Sequence, residues 1–148
     1  MSKPKLLFLS LGGTITMVPG ERGGVSPALG AEELIASVPG LGEVANIEAR
    51  SPLRLPSPSL SMAHMVSVAE ELNRAFQGDF DGAVVIQGTD TIEESAFMLD
   101  LLVSGDRTVV MTGAMRSAAA PGADGPANLP AAAIAAGCQQ ARAQRKLE

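Results

Sequence analysis

Three short runs in this chain are apolar almost from end to end, at residues 5–11, 82–86 and 108–112, and a glycine-containing turn follows each of them. A strand without polar alternation needs cover on both faces, which is the signature of a parallel sheet flanked by helices. The intervening stretches read as those helices. Ala31, Leu34, Ile35 and Val38 recur at helical spacing until Pro39-Gly40 stops them. Ser61 is placed as an N-cap, after which Met65, Val68, Ala69, Leu72 and Phe76 form one stripe with Glu70, Glu71 and Arg74 opposite. A third helix turns Ile92, Ala96, Leu99 and Val103 inward, with Glu93 and Glu94 in its first turn, where the helix dipole favours negative charge. Residues 44–49 are a weak strand candidate, and 19–27 and the proline-bearing 51–59 read as loops. An alanine-rich helix is expected from Asp124-Gly125-Pro126 to near Gln144. The pattern predicts an α/β fold: a three-layer, flavodoxin-like (Rossmann-like) parallel sheet with helices on both faces.

At 148 residues the chain is sized for one domain, and with no Trp or Tyr and only four Phe its core must be aliphatic. A net charge of −5 argues against a nucleic-acid partner, since phosphate neutralisation needs a basic face. The basic cluster at 142–146 reads as a solvated helix end. The single Cys138 has no internal disulfide partner, and no spacing suggests a metal site. The first apolar run is too short for a secretion signal, and no run is long enough to span a membrane, so the expected location is cytoplasmic.

In open parallel sheets ligands sit outside the carboxyl ends of the strands. The turns there carry hydroxyls and a carboxylate: Gly12-Gly13-Thr14-Ile15 after the first strand, Gln87-Gly88-Thr89-Asp90-Thr91 after the second. Thr14 is a candidate nucleophile, with Gly12 and Gly13 letting the backbone approach a ligand closely; the same motif also fits a tight turn followed by a helix cap. Asp90 is suited to orient a substrate ammonium and Thr89 to relay a proton, or the two form an N-cap pair for the following helix. Both phosphate-binding glycine patterns are absent. His64, the one histidine, is read as a surface residue.

Taken together, Gly12-Gly13-Thr14-Ile15, Gly88-Thr89-Asp90-Thr91-Ile92-Glu93-Glu94-Ser95-Ala96, Met111-Thr112-Gly113-Ala114-Met115-Arg116 and Asp124-Gly125-Pro126-Ala127-Asn128-Leu129 resemble the bacterial-type L-asparaginase/glutaminase family, in order and spacing. The resemblance implies an amidohydrolase in which Thr14 attacks the side-chain amide of asparagine or glutamine, forming an acyl-threonine and releasing ammonia. By it, Thr89 belongs to a second hydroxyl relay and lends its N–H to an oxyanion hole. Asp90 would hold the α-ammonium, Ser57 the α-carboxylate, Gly88 would lie against the substrate, and the Ala114 carbonyl would meet the leaving amide. No cofactor is implied, and the partner is a small-molecule substrate.

The chain departs from that family's pattern. No Tyr is present to assist the nucleophile, Gln87 stands where His is common, and Pro58 where Gln is common. The family's catalytic Lys would lie on the strand after the alanine-rich helix, and its smaller C-terminal domain beyond that; neither falls within residues 1–148. The expectation is therefore most of an N-terminal domain with a sheet incomplete at its C-terminal side, little activity alone, and self-association through an unpaired edge. A non-catalytic aspartate-binding or subunit-association domain is the alternative. A tRNA-dependent amidotransferase subunit fits less well, because its extra N-terminal domain is missing.

Overall fold

In the computed structural model, residues 2–19, 25–27 and 29–142 are described. The elements run β1 (Lys5–Ser10), β2 (Met17–Pro19), β3 (Val25–Pro27), α1 (Ala31–Ala36), α2 (Leu41–Val44), β4 (Asn46–Arg50), α3 (Met62–Phe76), β5 (Gly82–Ile86), α4 (Ile92–Leu102), β6 (Thr108–Thr112) and α5 (Gly125–Gly137). Four strands form one parallel sheet in the order β4-β1-β5-β6. The expected α/β class is what the chain adopts.

The residues of β1 alternate between two cores. Leu6 and Phe8 join Val84, Ile86, Leu34, Leu41, Leu129 and Ala133 on one face. Leu7 and Leu9 join Val85, Met65, Leu72 and Leu99 on the other. Helices α1, α2 and α5 thus cover one face and α3 and α4 the opposite one, giving three layers. For α1 to α4 this division follows from strand order. The chain steps from β1 out to β4, then returns past β1 to β5 and on to β6; right-handed crossovers in opposite directions put their helices on opposite faces. Each fully buried Leu or Phe of β1 contributes about 1.5–3 kcal/mol, so the central strands are the most firmly held part of the molecule.

The structure departs from the sequence expectations in four places. The loop at 19–27 begins and ends in strand, because β2 and β3 pair antiparallel, Val18 opposite Ser26; residues 20–24 lie outside the described residues. The strand predicted at 44–49 starts at Asn46, since residues 41–44 close a helical turn after Gly40 at φ 80°. Helix α5 ends at Gly137 because Cys138 is extended, and the expected end near Gln144 lies outside the described residues. Arg142 is not a solvated helix end: its guanidinium bonds the Asp81 carboxylate at 2.8 Å. One further contrast is positional. The strands were expected to be covered throughout, yet β6 is only half-buried along its length, being paired on one edge alone among the described residues.

Candidate active site

The strand order reverses between β1 and β5, so the crossovers leave these neighbours on opposite faces and open a crevice above their carboxyl ends. Both hydroxyl-bearing turns stand there. Beyond β1, Gly12 and Gly13 take φ 114° and 93°, and Thr14 opens one 3-10 turn that the Thr16 hydroxyl fastens by donating to Gly13 O at 2.8 Å. Beyond β5, Gln87 and Gly88 lead to a second 3-10 turn, Thr89–Thr91, which runs directly into α4. The two turns touch through their backbones: a Cβ added to Gly13 would overlap the Gly88 nitrogen and Cα.

Two more loops close on this pair. The segment after β4 is tied to the end of β1 by Leu55 N–H donating to Leu11 O at 2.9 Å. It carries Ser57, 2% exposed, to Gly88, where an added Cβ would come within 2.7 Å of Ser57 Oγ. Thr91 Oγ1 donates to Ser57 O at 3.1 Å and locks the loop to the second turn. On the far side, Gln87 N–H donates to Thr112 O at 3.0 Å, and a Cβ on Gly113 would lie 3.3 Å from Thr89 Cγ2. Thr14, Ser57, Gly88, Thr89, Asp90 and Ala114, all named from the sequence, therefore lie on four segments that abut one another around one crevice.

Their environments differ. Thr14 and Thr89 are half-buried, Gly88 and Ala114 buried, and Asp90 exposed. Among the described residues the Asp90 carboxylate meets no hydrogen-bond or ion-pair partner, which leaves it open to a cation. The helix-cap reading of Thr89 and Asp90 finds no support in side-chain bonds: Thr91 is the N-cap of α4, and its hydroxyl is spent on Ser57 O. Among the described residues Ser57 Oγ and Gln87 Oε1 are buried without a hydrogen-bond partner. Such atoms are costly unless something later bonds them, by about 1–3 kcal/mol each. Gln87 Nε2 donates to Gly88 O at 3.2 Å, so this residue underlies the second turn.

The turn after β6 is held by Asp124, whose carboxylate accepts from Met115 N–H and Arg116 N–H, each at 2.9 Å. Those two N–H groups hold its carboxyl below the usual aspartate range. Sequence reading passed over this role, although an Asp and an Asn four residues apart at a helix start were visible as Asp124 and Asn128. His64 is likewise more than a surface residue: its Nδ1 accepts from Ser61 N–H at 3.1 Å and completes the cap of α3. Among the described residues no group of three His, Cys, Asp or Glu could hold a metal ion, and no helix is long and apolar enough to cross a membrane. A groove of about 440 Å³ lies away from the crevice, between α4 and β6, where Leu99, Val103, Thr108 and Met111 line it. Of the residues lining that groove only Thr108 carries a hydroxyl, whereas Thr14, Ser57, Thr89 and Thr91 gather at the crevice.

Fold and site define a class: a parallel α/β domain whose switch-point crevice presents two threonines and a free aspartate. The chain belongs to the asparaginase family, matching the model described as "Asparaginase, N-terminal" over residues 5–146. It is 35% identical over 152 residues to L-asparaginase 2 of Bacillus subtilis, an alignment covering 97% of this chain and 40% of that protein. It is 39% identical over 140 residues to a probable L-asparaginase of Deinococcus radiodurans, covering 94% and 41%. With the glutaminase-asparaginase of Pseudomonas fluorescens biotype A it shares 36% over 115 residues, covering 77% and 32%. The chain thus spans between 32% and 41% of the length of these relatives.

Proposed function

We propose that this chain carries the nucleophile and the substrate-reading groups of an amidohydrolase acting on the side-chain amide of L-asparagine, or of L-glutamine. The observation that carries this reading is the backbone contact of Gly13 with Gly88, which sets Thr14 beside Thr89-Asp90 at the switch point. Thr14 Oγ bonds to the amide carbon as the carbonyl electrons move onto oxygen, where the Thr89 N–H stabilises the charge. When that intermediate collapses, the C–N bond breaks and nitrogen leaves as ammonia with the proton Thr14 gave up. Water then cleaves the Thr14 ester to the acid and restores the hydroxyl. Asp90 pairs with the α-ammonium, and the unpartnered Ser57 Oγ donates to the α-carboxylate.

Proton removal is the weak link. The described lysines are at the wrong end of the sheet: Lys3 Nζ bonds Gly42 O, and Lys5 Nζ bonds Asp79. His64 is committed to its cap. Slow turnover is therefore expected, and the absence of a described lysine beside Thr14 favours a second reading, an aspartate-binding domain without catalysis. Ammonia release from asparagine by purified protein distinguishes them. Release that vanishes in Thr14→Ala supports the amidohydrolase, whereas turnover of about ten per second would refute the expectation of slowness. Calorimetry with L-aspartate should lose its signal in Asp90→Ala; unchanged binding removes Asp90 from the site.

Self-association is part of the proposal. The free edge of β6 is a template for another strand, and Phe97 and Leu101 on the adjacent α4 are 65% and 67% exposed. Sedimentation should show concentration-dependent oligomers, and a monomer at every concentration would contradict it.

A further inference from the structure

The two peptides that flank the Ala114 Cα are both held from the side of α5. Asn128 Nδ2 donates to Gly113 O at 3.0 Å. Met115 N–H donates to Asp124 Oδ2 and Arg116 N–H to Asp124 Oδ1, each at 2.9 Å. The two clamping side chains also meet each other, Asn128 Nδ2 to Asp124 Oδ2 at 3.3 Å. Their bases belong to one rigid turn, because Asp124 is the N-cap of α5 and its carbonyl accepts from Asn128 N–H at 3.0 Å.

The consequence lies in peptide geometry. No described peptide is cis, and in a planar trans peptide the N–H and C=O point in opposite directions. With Met115 N–H committed to Asp124, the carbonyl of that same peptide, Ala114 O, is turned away from α5. The neighbouring Gly113 lies against Gln87 O and Thr89 Cγ2. The Ala114 side chain is buried in the same cluster as Ile15. Backbone rotation that would swing the carbonyl elsewhere must therefore break a bond to Asp124 or Asn128, or displace buried atoms.

We propose that Asp124 and Asn128 are positioning residues that hold the Ala114 carbonyl toward the crevice as an acceptor for the substrate's side-chain –NH2, so that the site reads amide against acid. This rests on the amidohydrolase reading. A carbonyl oxygen accepts from an amide N–H and has no donor to offer a carboxylate oxygen. The clamp thus favours substrate and does nothing for the acid product.

The test uses the full chain with Thr14→Ala, which cannot form the acyl-enzyme, and measures binding of L-asparagine and L-aspartate with and without Asp124→Asn. The introduced amide faces one backbone N–H with a donor, opening the clamp. We expect L-asparagine to weaken by about tenfold, the worth of roughly one hydrogen bond, while L-aspartate changes by less than about twofold. Amide exchange at Met115 and Arg116 should accelerate. Equal weakening of both ligands, or of neither, overturns the proposal and leaves the amidohydrolase reading intact. Failure of the Thr14→Ala chain to bind either ligand overturns both together. Should Asp124→Asn not fold, Asn128→Ser releases Gly113 O from within α5 and is read by the same ratio.

Discussion

The contact of Gly13 with Gly88 makes a sharp mutational prediction. Gly13 sits at φ 93° and ψ 179°, a region open essentially to glycine. Alanine there carries a backbone cost of about 1–3 kcal/mol. It also thrusts a methyl into the nitrogen and Cα of Gly88, and backbone on both sides cannot yield as a flexible side chain would. Relief requires parting the two turns, which strains the bond from Leu11 N–H to Ile86 O at 2.8 Å and the Leu55 bond beside it. Gly105 provides the control. Its φ is +91°, but an added Cβ meets nothing within 4 Å, so Gly105→Ala isolates the conformational cost. We expect Gly13→Ala to exceed Gly105→Ala by at least about 2 kcal/mol, in line with overpacking of a tight site. For a domain of this size that is a difference of roughly 4–8 °C in Tm. Urea and thermal melts of the two variants measure it, and L-aspartate binding should be lost in the first alone. Equal destabilisation of the two would refute the close approach on which the site is built.

Two further outcomes follow from named groups. Ser57→Ala removes a buried hydroxyl without a partner, so the empty protein should melt at the same or a higher temperature while L-aspartate affinity falls; a lower Tm with unchanged affinity would contradict both halves. Asp81 and Asp124 have carboxyls held below 3.8, Asp81 chiefly by Lys5 N–H and then by Arg142, Asp124 by Met115 and Arg116 N–H. A depressed folded pKa stabilises above the unfolded value and is lost as pH falls through the folded one, so Tm should drop progressively below about pH 5, and Asp81→Asn combined with Asp124→Asn should flatten that drop.

The sheet was legible where burial is uniform. Residues 82–86 match β5 to the residue, because a fully buried strand between two helical layers has no polar positions to blur its ends; 108–112 match β6, where a threonine marks each end. That the candidate site residues gather was legible for a related reason, since every strand-to-helix turn of a parallel sheet falls on one rim. What stayed hidden depends on partners distant in sequence. Arg142 looked solvated because nothing local announces Asp81, sixty-one residues away. The burial of Ser57 arises from Leu55 binding β1 and Thr91 binding its carbonyl, neither of which has a periodicity. Asp124 was visible only as a motif, and its bonds to Met115 and Arg116 join two loops whose approach is set by α5 packing on β6.

Strand length divides the polar chemistry of the molecule into two rims. A strand of six residues spans about 20 Å, which separates Lys3, Lys5, Asp79 and the Asp81–Arg142 pair at one end of the sheet from Thr14, Thr89 and Asp90 at the other. One described cation on the second rim is turned to other work: Arg116 Nη1 donates to Gly122 O at 3.3 Å. A guanidinium holds carboxylates and does not accept protons. On the proposed reading, a zwitterionic amino acid is recognised by an exposed carboxylate and a buried hydroxyl donor, the parts given to Asp90 and Ser57. Hydrolysis needs in addition a group placed to take a proton from Thr14, and neither described lysine stands on that rim. On the proposed reading binding and turnover are thus separable: four abutting loops serve the first, and the second further needs a proton acceptor set beside Thr14.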